Sequence, residues 1–177
     1  MSTVSHGVIR KGRNGSVSED RCREPVAQCL VRHLMLPMIY FERKWPPGSN
    51  TCPDIVAVDR AGTGEVHVVE IKRTLSTALN AGAKSVFGLP AHYRWVAFQG
   101  EGLTPTDDEA EISLLSEEPL LPKTGMGRIG VIEVIRMPFG DLEARIRLKA
   151  ERFRPGDISA AIDDFQKREK PDIEFKE

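Results

Sequence analysis

Two apolar runs, residues 55–58 and 66–71, flank the segment Arg60-Ala61-Gly62-Thr63-Gly64. A glycine-rich break of that length between two strand-like runs leaves the chain one compact solution, a β-hairpin. Centring the turn on Gly62 sets Val58 against Val66, Val56 against Val68 and Asp54 against Glu70. Strand side chains alternate between faces, so Val66, Val68, Glu70 and Lys72 share one face. The other face carries Ile55, Ala57, Val69 and Ile71. Both faces are apolar, so these strands belong in the middle of a sheet.

The charged end of this hairpin is the unusual part. Directly opposed residues have Cβ atoms about 4.5–5.5 Å apart, and like charges at that spacing destabilise a hairpin unless a cation lies between them. Any one of Asp54, Glu70 and Lys72 alone reads as an ordinary strand-end charge. All three on one face of otherwise apolar strands read as a site. Two carboxylates suit Mg²⁺ or Mn²⁺, which keep several waters and take further oxygen ligands from a substrate phosphate. An ammonium one strand step away can hold a water or stabilise charge developing on phosphate.

Pro53-Asp54 and Glu70-Ile71-Lys72, with the hairpin between them, resemble the signature of the PD-(D/E)XK nuclease superfamily. The resemblance spans residues 16–135 in order of elements and a few positions in identity. It implies an α/β fold with a restriction-endonuclease-like mixed β-sheet core flanked by helices. It also implies Mg²⁺-dependent (or Mn²⁺-dependent) hydrolysis of phosphodiester bonds in nucleic acid, DNA before RNA. Carried over residue by residue, Asp54, Glu70 and the Ile71 carbonyl would hold metal, and Lys72 would orient or deprotonate the attacking water. Many relatives add an acid from the first helix, for which Glu19 is the first choice and Glu24 the second. Arg73 and Lys84 are the candidate nucleic-acid contacts, each also readable as a plain surface cation. The glutamine–tyrosine helix of tracking nucleases has no clear copy between Ser76 and Phe87. Relatives are often dimeric, so a homodimer is an expectation without an assigned surface. The rival readings are a non-catalytic nucleic-acid- or protein-binding member of the same fold, and a plain α/β interaction domain.

Composition bounds these readings. At 177 residues, 40% hydrophobic and 29% charged, the chain suits one domain with a sizeable core. No apolar run approaches the roughly 20 residues of a membrane span. Residues 1–15 lack the apolar segment of a signal peptide and read as a mobile arm, followed by the nuclease-like domain over 16–155 and a helix and tail over 156–177. Cys22, Cys29 and Cys52 show no CxxC spacing, so a reducing cytoplasm is expected. Cys29 and His33 lie at zinc-ligand spacing without two further ligands. The net charge is only −1, but residues 1–50 hold eight Lys/Arg against four Asp/Glu, and residues 101–118 hold seven acids and no base. That segregation fits one basic face for phosphate; it fits a solvated surface nearly as well.

Around the hairpin, Ser16-Val17-Ser18-Glu19 has capping-box spacing and opens a helix to about Met35, with Val26, Ala27, Leu30 and Leu34 on its apolar face. Pro25 permits an alternative start there. Residues 38–45 read as a strand, 76–87 as a helix and 93–98 as a strand, which makes a parallel crossover from the hairpin. His92 and Arg94 read as strand-end charges. Residues 106–116 read as an acidic helix, 120–127 as loop and 129–135 as a strand. Residues 142–150 alternate as a strand with one mostly basic face, and 158–165 form a helix behind Asp157. The tail segment Pro171-Asp172-Ile173-Glu174-Phe175-Lys176 repeats the motif superficially, with no hairpin inside it.

Overall fold

The computed structural model of the protein describes residues 17–59, 64–100, 117 and 127–174. Its strands are β1 (Met38–Phe41), β2 (Ile55–Val58), β3 (Val66–Lys72), β4 (Tyr93–Gln99), β5 (Gly130–Arg136), β6 (Leu142–Leu148) and β7 (Ile173–Glu174). They form one mixed sheet in the order β6-β5-β4-β3-β2-β1-β7. The register of the central hairpin is the one the sequence predicts, with Val56 opposite Val68 and Val58 opposite Val66. Strands β3, β4 and β5 are mutually parallel, and the remaining pairs are antiparallel.

Helices cover both faces, which completes an α/β fold. On one face lies α1 (Val17–Leu34), whose Val26, Ala27 and Leu30 pack with Ile39, Ile55, Val69, Ile71 and Trp95. The helix runs through Pro25 without a break. An interior proline costs about 3 kcal/mol. Burying each large aliphatic side chain returns roughly 1.5–3 kcal/mol, so the apolar face outweighs the missing N–H. On the other face, α2 (Leu75–Thr77), a π-helical turn (Ala78–Gly82) and α3 (Ala83–Phe87) form one continuous segment. It enters through a capping box between Thr74 and Thr77. Beside it lies α4 (Ser159–Arg168), whose Phe165 meets the Tyr40 and Trp45 rings edge-on at 4.7 and 5.3 Å.

Several expectations need correcting. The strand expected over 38–45 ends at Phe41, because Glu42 takes a left-handed φ of 49° and cannot continue it. The tail is a sheet edge: Ile173 and Glu174 pair with β1, and the Phe41 amide donates to Asp172 Oδ2 at 2.7 Å. Arg94 is no strand-end charge; it is buried with its guanidinium 4.0 Å from the Phe153 ring centre. The expected arm over 1–15, the Ser16 cap, the turn residues 60–63, the acidic helix over 106–116 and the loop over 120–126 lie outside the described residues. No helix among the described residues is long and apolar enough to cross a membrane.

This topology positions the site. Parallel β3, β4 and β5 end on one side of the sheet, and β2, antiparallel to β3, begins there. Asp54, Glu70 and Lys72 therefore meet at the carboxyl ends of the parallel strands, where open α/β sheets receive ligands.

Candidate functional site

Asp54 occupies a bend one residue before β2. Its Oδ2 accepts a hydrogen bond from the Ile71 backbone amide at 2.7 Å, which fixes the carboxylate across the end of β3. Ile71 thus serves the cluster through its N–H, while its side chain is buried beneath α1. Glu70 points to the opposite face of β3 from Ile71, and its Oε1 lies 2.6 Å from Lys72 Nζ. The side chains of Asp54, Glu70 and Lys72 retain 21, 16 and 24% of their exposure, so the cluster is largely withdrawn from water.

The electrostatics follow from that burial. Burial raises the Asp54 carboxyl above its ordinary range, against the Ile71 hydrogen bond, Lys72 and Arg23, which all act to lower it. Burial raises Glu70 as well, with the Asp54 charge adding to it and the Lys72 hydrogen bond and charge acting to lower it. For Lys72, burial acts to lower the pKa; the Glu70 contact together with Asp54 and Glu19 outweighs it, and the net direction is up. Burial thus disfavours the charged form of both carboxyls, and the neighbouring acids hold the ammonium charged.

Of the two helical acids, α1 brings only Glu19 to the cluster. Glu19 is half-buried and its charge acts on Asp54, Glu70 and Lys72. Glu24 is exposed and acts on none of them. Arg73, just past β3, and Lys84, on α3, are both exposed.

Three further residues at this end were not anticipated. Arg23 Nη2 lies 2.9 Å from Asp20 Oδ1, 2.8 Å from Glu42 Oε1 and 3.7 Å from Asp54 Oδ1, a guanidinium shared among three carboxylates. The Glu42 amide donates to the Asp54 carbonyl at 3.1 Å, and that bond accompanies its left-handed backbone. Cys52 is exposed, and its thiol is pushed up first by burial and then by Glu42 and Asp54. Pairing 38–45 with the hairpin would have brought Glu42 beside Asp54, since Phe41 opposes Ile55. Arg23 carried a signal too, lying one helical turn after Glu19.

The π-helical turn presses on Lys72 from above. A Cβ on Gly82 would stand 3.4 Å from Lys72 Cγ and 3.3 Å from Val96 Cγ1. A side chain there would touch the lysine stem at ordinary contact distance and press slightly on Val96.

Among the described residues, no three His, Cys, Asp or Glu side chains are gathered as a ready-made metal cage. A hard cation of the Mg²⁺ type does not require one, since it uses one or two carboxylates and keeps its waters. Asp54 and Glu70 are the two carboxylates of the cluster, with Glu19 the next acid.

No protein-family signature matches the chain, and no curated protein does. Among solved structures, the chain is similar to the SPO1766 protein of unknown function from Silicibacter pomeroyi, with a TM-score of 0.50 and 18% identity over 82% of this chain and 79% of that one. That likeness shows a shared fold alone. A second similar structure is a refined half-complex from a tetradecameric assembly of Thermococcus gammatolerans McrB AAA+ hexamers with bound McrC. Its TM-score is 0.33 at 15% identity over 80% of this chain and 30% of that one, too low to carry an argument.

Proposed function

We propose that this protein is a Mg²⁺-dependent nuclease that hydrolyses phosphodiester bonds in nucleic acid, DNA foremost, on a restriction-endonuclease-like core. The carrying observation is the half-buried pair of carboxylates Asp54 and Glu70 beside Lys72, at the carboxyl ends of parallel strands. Asp54 and Glu70 would hold the metal, with Glu19 supporting it from α1. The bound metal would supply Lewis acidity and offset charge on the pentacovalent phosphate. This chain's own residues do the rest. The Ile71 amide fixes Asp54 in place, and Glu70 and the Gly82 turn fix Lys72. The raised pKa of Lys72 assigns it to orienting water and stabilising phosphate charge as an ammonium, ahead of removing a proton.

One observation favours the rival, a non-catalytic binder on the same scaffold: the Lys72–Glu70 contact at 2.6 Å already satisfies both groups in part. Supercoiled plasmid incubated with Mg²⁺ separates the two. Under the nuclease reading wild type nicks it, and Asp54→Asn and Lys72→Ala each lose at least about a hundredfold in rate. Mn²⁺ also raises the melting temperature of wild type and not of Asp54→Asn. Absence of cleavage on duplex, single-stranded, branched and RNA substrates sinks the enzyme and leaves the binder.

A further inference from the structure

We infer that the groove between the C-terminal half of α1 and the β5–β6 hairpin is a self-association surface that receives a second copy of this chain. The groove encloses about 360 Å³. Only two large hydrophobic side chains among the described residues are exposed, Phe139 at 95% and Met35 at 73%, and Phe139 is one of the residues that line the groove. Phe139 stands on its lip at the hairpin tip, and Met35 follows its lining residue His33 by two positions.

Phe139 is held out by a closed turn. The Met137 amide donates to the Asp141 carbonyl at 2.8 Å, and the Gly140 amide to the Met137 carbonyl at 2.9 Å. Gly140 takes a φ of 92°, which a side chain would resist. The tip is thus an ordered knob whose apolar ring has no partner within the chain. An exposed aromatic on a rigid mount, beside a cleft, has the anatomy of an interface anchor.

The charges identify the occupant. The α1 wall carries Arg32 and His33, and the hairpin wall carries Asp141 and Glu143. A two-fold axis places each cationic wall against the partner's anionic wall, and each Phe139 in the partner's cleft, as an isologous interface requires. A partner of single-signed charge would meet repulsion along one wall. The hairpin follows β5, whose carboxyl end lies on the same side of the sheet as Lys72. The pairing does not depend on what the carboxylate cluster does.

Sedimentation velocity of the full chain over a concentration series tests the proposal. The expected result is a concentration-dependent species of twice the 19.7 kDa chain mass. Phe139→Asp, at a fully exposed position, weakens association at least about tenfold without altering the circular dichroism spectrum. Arg32→Glu and Glu143→Arg each weaken self-association, and mixing the two proteins restores both charge contacts in the heterodimer, one native and one reversed in sign. A chain that stays monomeric to about 100 µM, well above the affinity of a specific dimer, overturns the inference. So does a dimer indifferent to all three substitutions, because its interface then lies elsewhere.

Discussion

The backbone amide of Ile71 donates to Oδ2 of Asp54 at 2.7 Å, so the residue between Glu70 and Lys72 holds the acid facing them from the neighbouring strand. Asp54→Asn keeps an oxygen for that amide and removes only the charge. Asp54→Ala leaves a part-buried N–H without a partner, which costs about 1–3 kcal/mol. Chemical denaturation therefore separates two substitutions that plasmid cleavage scores alike: both inactive, only alanine markedly destabilised. Equal stability of the two would mean the amide finds another acceptor.

Glu70 behaves in the opposite sense to a stabilising carboxylate. Its folded pKa is raised, by burial and then by Asp54. The folded form therefore holds its proton more tightly than the unfolded chain, and stability drains away as pH rises from the ordinary 4.5 through the folded value. At neutral pH the ionised group is a net cost. Glu70→Gln should raise the melting temperature by a few degrees in chelator while abolishing any Mg²⁺ response. A lowered melting temperature in chelator would show that the Lys72 contact outweighs the burial.

Gly82→Ala tests whether the π-helical turn positions Lys72. Alanine gains up to about 1 kcal/mol over glycine in helix propensity, which offsets part of the crowding against Val96 and the lysine stem. Stability should change little, while kcat for plasmid nicking falls about tenfold, since small displacements at a reacting centre are costly. An unchanged kcat would reduce Gly82 to a packing residue.

At the other end of β3, buried His67 is expected to make the fold sensitive to acid. Trp95 Nε1 donates to its Nδ1 at 3.2 Å, and its ring stacks on Tyr93 at 4.4 Å. Burial, helped by the His92 charge, holds its pKa down at about 3, against an ordinary 6.5. Between those values the unfolded chain binds a proton that the folded chain refuses. Stability is thus lost as pH falls below about 6.5, by up to about 1.4 kcal/mol per pH unit for this one group. His67→Gln, which can still accept from Trp95, should flatten that limb in urea titrations at pH 4 to 7. An unchanged limb would assign acid sensitivity to other groups.

Local pattern carried much of this protein. The spacing of valines around Gly62 set the hairpin register, and with it the approach of Asp54 to Glu70, because a period of two leaves one pairing that buries both faces. The apolar stripe of Val26, Ala27 and Leu30 placed α1, though not whether it begins before Pro25, and Ile162 with Phe165 placed α4. The tail strand was invisible, since two residues are too short a run to show alternation.

What the chain's order of residues determined alone was which groups share a strand face, a property of backbone geometry within a few residues. Tertiary structure decided the rest of the cluster. It brought Glu19 rather than Glu24 to the cluster, delivered Arg23 from a helix and Glu42 from just past the end of β1, and seated Gly82 on Lys72. Those neighbours are separated along the chain and joined only by packing, and burial, the quantity that sets their charges, does not exist until the sheet is covered on both sides.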